Sequence, residues 1–446
     1  MPGSIHERKL GILQASAINM TDMVGIGPFI TLPMVIGIMN GPWFLYAWLA
    51  GAALSMVDAM VWSELGAAFP LAGGSYNFLK VTYGENKWGK LMSFLFVWQT
   101  MIQAPLVIAS AAIGFAAYFS YLVPLTTFES KLVSGGVVVS IVALLYRKIE
   151  DVGKISVVLW IAVLLTLFWI IGGGIAHGNF FQPIMHINDG LTVNSAFAAA
   201  IGFASVKSVY SYLGYYNVCN LGGDIVNPSK NIPRSMFISI AGIAVLYLCM
   251  NISVVSVIPW QQARSCQFLI SIFMRQLAGP VAANIVTALV LLVAFASVFS
   301  ATLGYSRVPY AAAADGAFFK IFAKVHPKGN FPYVSLLFLG GIAFVFSLLF
   351  KLSDVISAVL AMRILVQFIA QAIGLLLLHK ARGISFFPWR MPFFPWPVYL
   401  AVILWAAILV STGLTLFIGA LITISTGACV YFIKANVNKE WPFVKD

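Results

Sequence analysis

A chain of 446 residues that is 61% hydrophobic and only 9% charged, with a mean hydropathy of +0.94, lacks the polar surface a water-soluble domain needs. It is read as one polytopic membrane domain over residues 1–446, with no room for a separate soluble domain. The net charge of +12 would suit a nucleic-acid partner, but its distribution argues against one. With the N-terminus placed in the cytoplasm, the inner loops and ends hold most of the basic residues, among them Arg8, Lys9, Lys87, Lys90, Arg147, Lys148, Lys154, Lys320, Lys324, Lys328 and Lys445. The outer loops hold Lys131, Arg264, Arg275 and Lys351. This asymmetry sets topology. It predicts a multi-pass protein of the cytoplasmic membrane with both termini cytoplasmic, the lipid bilayer as its surroundings and no nucleic acid bound.

About twelve apolar stretches approach the ~20 residues a bilayer core requires. They cover residues 11–39, 42–68, 88–123, 132–147, 152–176 and 195–226, then 235–258, 280–312, 332–350, 354–379, 394–413 and 415–434. The first contains Met23-Val24-Gly25-Ile26-Gly27-Pro28-Phe29. Two glycines and a proline within four residues are poor material for a continuous helix. The stretch is either a simple kink in a packed helix or an unwound segment whose freed backbone groups hold a small zwitterion. In lipid such groups are tolerated only where protein, water or a ligand satisfies them.

The second span carries Asp58 and Glu64 and stops at Pro70, before Gly73-Gly74 and an amphipathic stretch with Lys80. Glu64 reads as a capping or loop-tethering carboxylate. Asp58 is deeper, and a carboxylate inside a span faces the bundle interior. It divides between a structural hydrogen bond and ion or proton coupling. The fifth span opens on Glu150-Asp151-Val152-Gly153-Lys154, with Lys154 an interfacial anchor. The sixth holds Lys207, Tyr210-Ser211-Tyr212-Leu213-Gly214-Tyr215-Tyr216 and Gly222-Gly223-Asp224, too polar and glycine-punctuated to face lipid. Interrupted first and sixth spans, five helices apart, point to an inverted five-helix repeat with a site between the breaks. On that reading residues 11–176 and 195–379 are the two repeats, and 394–434 adds two helices. In the tenth span Arg363 stands with Gln367 and Gln371 at i+4 and i+8, a polar stripe on one face. Such an arginine must pair or line a cavity.

The cysteines Cys219, Cys249, Cys266 and Cys429 show no metal-ligand spacing, and no disulfide framework, metal or cofactor is expected. No catalytic constellation is visible, so an enzyme is not expected.

Four stretches together resemble the amino acid–polyamine–organocation family of permeases, in its L-type amino acid transporter-like branch. They are Gly25-Ile26-Gly27-Pro28-Phe29; Glu64-Leu65 with Pro70 and Gly73-Gly74-Ser75-Tyr76; Tyr212 through Asn227-Pro228 to Ile232-Pro233-Arg234; and Arg307, Tyr310, Asp315-Gly316 and Lys324-Val325-His326-Pro327. The resemblance implies alternating access and an amino-acid site between helices one and six. Carried over, Gly25, Ile26 and Gly27 would offer N–H groups to the substrate carboxylate, and carbonyls of Met23, Tyr210 and Leu213 would accept its ammonium. Tyr210 would close over the substrate, Ser211 would lie beside it, Gly214 would permit close backbone approach, and Tyr216 would occupy a side-pocket position. Where the family has a serine between the glycines this chain has Ile26, so backbone alone would meet the carboxylate. The mid-helix lysine of many relatives is Val163 here. Asp22, Asp58, Lys207 and Arg363 are therefore the coupling candidates. Residues 122–131 contain no cysteine, so no disulfide-linked ancillary subunit is expected.

The chain is thus expected to be a secondary active amino-acid transporter, an antiporter or symporter. Exchange, proton symport and sodium symport all stay open at this stage. The rival is a non-transporting amino-acid receptor on the same fold.

Overall fold

The computed structural model describes residues 10–71, 73–146, 149–327, 329 and 331–443, and of 149–160 the backbone alone. The expected anchor Lys154 and the basic residues Arg8, Lys9, Arg147, Lys148, Lys328 and Lys445 lie outside that description.

Apolar stretches of this length in lipid must satisfy their own backbone, and helices do so within one segment. The helices are α1 (Ile12–Met23), α2 (Gly27–Met39), α3 (Leu45–Ala68), α4 (Ser75–Thr82), α5 (Trp88–Leu122), α6 (Thr127–Leu145), α7 (Ile149–His177), α8 (Gln182–Met185) and α9 (Ser195–Tyr212). They continue as α10 (Asn217–Asn220), α11 (Pro228–Val255), α12 (Trp260–Ala263), α13 (Leu269–Ala314), α14 (Tyr333–Leu349), α15 (Leu352–Arg363), α16 (Gln371–Arg382), α17 (Trp396–Ser411) and α18 (Leu414–Asn438). Among the described residues seven helical stretches, α15 through α16 being one of them, are long and apolar enough to cross a bilayer, and the α1–α2 pair, bent by 51°, makes an eighth. Shorter apolar helices stand for the ninth and eleventh spans, α7 for the fifth, and α9 with α10 for the sixth. The chain is an all-α polytopic membrane protein.

Local chemistry explains where spans start and stop. Pro28 falls in the first turn of α2, where its missing N–H costs no helical hydrogen bond. It therefore starts a helix rather than kinking one. The fourth span begins at Thr127, five residues before hydropathy marks it. A capping box opens it, with the Thr126 N–H donating to Glu129 Oε2 at 2.7 Å and the Glu129 N–H to Thr126 Oγ1 at 3.3 Å. The eighth span, expected over 280–312, follows Gly279, whose φ of 81° breaks α13 between a shorter helical part from Leu269 and the part that runs on to Ala314.

The polar stripe expected along the tenth span splits. A π-helical stretch, Ile364–Ala370, separates α15 from α16 and shifts the register of the helix beyond it. Arg363 consequently faces Tyr216 and Tyr305, whereas Gln371 accepts a hydrogen bond from Ser75 Oγ at 2.6 Å. At one end of the bundle, the backbone of Leu10 bonds to Asp224 and Val226, tying the segment before α1 to the turn before α11. Nearby contacts also join separate elements. Glu64 tethers α3 to the α16–α17 region through His379 Nε2 at 2.8 Å and the Met391 N–H at 3.4 Å. Asp315, after α13, accepts from Lys80 Nζ at 2.5 Å and the Tyr76 hydroxyl at 2.7 Å on α4.

Candidate functional site

The first interruption lies between α1 and α2. Val24 N–H still reaches the Met20 carbonyl at 2.9 Å, Gly25 N–H turns back to the Met23 carbonyl at 3.1 Å, and the helix resumes at Gly27. Ile26 and Gly27 open α2, whose first-turn N–H groups have no acceptor within the helix and carry the positive end of its dipole. Both glycines are required by packing. A side chain at Gly25 would strike Ser297 of α13. One at Gly27 would stand 3.2 Å from Ser211 Oγ and 3.3 Å from Tyr210 Cε1.

The second interruption follows α9. Gly214 adopts φ +120°, a conformation open to glycine, and a Cβ there would lie 2.9 Å from both Asp22 C and Met23 N. The two breaks are therefore in backbone contact, although nearly two hundred residues separate them. Side chains from elsewhere satisfy the freed groups. Asn19 Oδ1 accepts from the Val218 N–H at 2.8 Å. The Tyr247 hydroxyl on α11 donates at 2.9 Å to the Met23 carbonyl and lies 3.1 Å from the Ser211 carbonyl. Ser211 Oγ and Thr31 Oγ1 are 2.9 Å apart, and the Tyr210 hydroxyl meets Ser110 Oγ of α5 at 2.7 Å.

Between the breaks lies a cavity of about 50 Å³. Every expected substrate-site residue lines it: Met23, Gly25, Ile26, Gly27, Tyr210, Ser211, Leu213, Gly214 and Tyr216. Of the four coupling candidates, Asp22 and Arg363 line it, and Asp58 and Lys207 do not. Sequence reasoning missed Val107, Ser297, Ala301, Tyr305 and Val359. They come from α5, α13 and α15, apolar helices without a break to mark the inward face.

Asp58, 1% exposed, accepts from the Tyr215 hydroxyl at 2.5 Å and Trp405 Nε1 at 2.9 Å. Both oxygens serve neutral donors that join α3 and α17 to the second break. Lys207, 7% exposed, donates to the Ser353 carbonyl at 2.9 Å, Ser353 Oγ at 3.1 Å and Ser357 Oγ at 2.8 Å. It pins α9 to the start of α15, away from the cavity. Arg363, 1% exposed, donates to the hydroxyls of Tyr216 and Tyr305, and its guanidinium carbon sits 5.8 and 5.5 Å from their ring centres. Tyr216 is in turn stacked on Trp62 with ring centres 4.6 Å apart.

The Met23 carbonyl differs from expectation. It already accepts from the Gly25 N–H and the Tyr247 hydroxyl, which occupy both its lone pairs, so neither it nor the Gly25 amide is free for a ligand in this arrangement. The Leu213 carbonyl, by contrast, has no hydrogen-bond donor among the described residues. Nor, among those residues, is any group of three or more His, Cys, Asp or Glu placed to hold a metal ion.

Comparison with known proteins places this geometry in context. The amino acid permease family model matches residues 10–433. The chain is similar to the branched-chain amino acid permease BcaP of Bacillus subtilis, 23% identical with 97% of this chain and 94% of that protein covered. It is equally similar, at 23%, to two more proteins of that organism. For the methylthioribose transporter the coverage is 96% of this chain and 94% of the relative. For the serine/threonine exchanger SteT it is 93% and 94%.

Proposed function

The chain belongs to the amino acid permease family, whose members are transporters and not enzymes, and from that premise we propose secondary active transport of an amino acid by alternating access. The substrate would sit between the two breaks. The observation that carries this reading is the contact of Gly214 with the Asp22–Met23 backbone, which brings two interrupted helices around one cavity. The Ile26 and Gly27 amides, at the positive end of α2, would bind the substrate carboxylate. The Leu213 carbonyl, the remaining lone pair of the Tyr210 carbonyl and the Asp22 carboxylate would receive its ammonium. The Tyr210 ring, held by Ser110, would form the wall over the substrate.

Alternating access would require the two halves of the bundle to move apart on one side of this cavity and then on the other. The breaks are natural hinges, with few backbone hydrogen bonds to lose. The Lys207–Ser353 contact and the Leu10–Asp224 pairing would open on alternate sides. This reading keeps the inverted repeat of residues 11–176 and 195–379, with 394–434 appended. It also keeps the cytoplasmic membrane as location, with both termini inside. Asp22 is the proposed coupling carboxylate, for a proton or sodium ion.

Uptake of labelled amino acids into proteoliposomes tests the proposal. Flux that is lost in Gly27→Val supports it. Binding without flux would identify an amino-acid receptor instead.

A further inference from the structure

The proposed reading leaves one group without a use. Arg363 is a permanent cation, 1% exposed, in the wall of a cavity inside a membrane bundle. Its hydrogen-bond partners are two tyrosine hydroxyls, both neutral; the Asp22 carboxylate in the same wall lies within electrostatic reach, but among the described residues Arg363 forms no ion pair. Its Nε, also buried, has no hydrogen-bond partner among the described residues. A buried guanidinium whose hydrogen bonds all go to neutral groups is costly, and a directly bound anion would complete it. The π-helical stretch that begins at the next residue is a departure from regular helix of the kind found at functional sites, and it sets Arg363 apart from the face carrying Gln371.

We infer that Arg363 is a specificity-determining residue and that the substrate is an amino acid bearing a second carboxylate on its side chain. This inference rests on the site proposed above. One cavity presents two features for anions and one for a cation. The first-turn amides of α2 suit the α-carboxylate, Asp22 suits the ammonium, and the Arg363 fork suits a side-chain carboxylate. The charges agree as well, since a substrate of net charge −1 meets one carboxylate, one guanidinium and a positive helix end. A cationic side chain would face the Arg363 charge across a small space and is disfavoured. A neutral aliphatic side chain would leave the guanidinium as it is and gain nothing from it. Tyr216 and Tyr305 hold the fork from both sides, so a carboxylate would meet a donor already oriented for bidentate contact.

The test is a panel on the purified full-length protein. Thermal stabilisation, and competition for uptake into proteoliposomes, are measured with L-aspartate, L-glutamate, L-asparagine, L-glutamine, L-valine and L-lysine. We expect an acidic amino acid to bind roughly 10- to 100-fold more tightly than its amide, the range for a charge-assisted hydrogen bond. Arg363→Gln should erase that preference, and Arg363→Lys should restore part of it. The wild-type panel decides the class even if Arg363→Gln does not fold. Preference for amides, valine or lysine, abolished by Gly27→Val, would overturn the acidic class and leave the site intact. Binding of any amino acid that Gly27→Val leaves unchanged would instead overturn the site on which the inference rests.

Discussion

The Tyr247 hydroxyl donates to the Met23 carbonyl at 2.9 Å, so a side chain of α11 closes the last exposed carbonyl of α1. The same oxygen stands 3.1 Å from the Ser211 carbonyl, and one phenol thus serves both interruptions. Tyr247 is fully buried against Trp48 and Tyr212, with ring centres at 5.6 and 5.4 Å. Tyr247→Phe keeps that packing and removes only the donor. The carbonyl keeps the Gly25 N–H, so the loss is that of one hydrogen bond, about 0.5–1.5 kcal/mol. The expected outcome is a lower thermal midpoint of the detergent-purified protein. An unchanged midpoint would show that water replaces the phenol at no cost.

Gly214→Ala tests the contact between the breaks. Its φ of +120° strains any other residue by about 1–3 kcal/mol, and the new Cβ would stand 2.9 Å from backbone atoms of Asp22 and Met23. Backbone cannot swing aside as a side-chain tip can, so the breaks would be pushed apart. Uptake should fall at least about tenfold for every substrate, as 1.4 kcal/mol of that strain suffices for such a drop. Wild-type transport in Gly214→Ala would mean that the close approach has no part in the cycle.

Asp22 and Asp58 should respond differently to the same change. Asp22→Asn removes a carboxylate from the cavity wall and is expected to alter the pH or cation dependence of uptake. Asp58→Asn keeps one oxygen for Trp405 Nε1 and turns an NH₂ toward the Tyr215 hydroxyl, which must then accept rather than donate, with a stability loss of about 0.5–1.5 kcal/mol. The pH profile of its remaining uptake should match wild type. A shifted profile in Asp58→Asn with none in Asp22→Asn would reverse the two assignments.

These two acids also show what was legible beforehand. The breaks announce themselves through Gly25, Gly27, Pro28 and Gly214, because those residue types change backbone geometry wherever they occur. The spans follow from hydropathy. An acid or base inside a span says only that it must be paired or enclosed, and which it meets depends on helix rotation. Rotation brings Asp22 and Arg363 to the cavity and turns Asp58 and Lys207 to Tyr215, Trp405 and the α15 serines. Tyr305 and Ser297 were hidden for the same reason, lying within α13 beyond its break at Gly279. The π-helical register shift after Arg363 has no residue signature, and the assumed i+4 stripe failed there.

Outside the spans, Asp315 gives a pH prediction. Partial burial pushes its carboxyl up, but hydrogen bonds from Lys80 and Tyr76 and the Lys80 charge outweigh this, holding it below its ordinary value. Because the folded value is depressed, the stabilisation is present in full above the unfolded value of about 4 and fades as pH falls through the folded one. With Lys80 30% and Asp315 46% exposed, solvent screening limits the pair to about 1 kcal/mol or less. Asp315→Asn should lower the thermal midpoint slightly at pH 7, and the difference from wild type should shrink toward pH 3. A difference that grows in acid would contradict the assignment.

The central claim is that backbone amides at the start of α2 receive the substrate carboxylate beside α9. The most direct measurement is equilibrium binding of the preferred amino acid to purified Gly27→Val, alongside its thermal midpoint. A Cβ at Gly27 already stands 3.2 Å from Ser211 Oγ and 3.3 Å from Tyr210 Cε1, and valine adds two methyl groups in that space. The account predicts that a folded Gly27→Val protein no longer binds the amino acid. Wild-type affinity in that folded variant would contradict it.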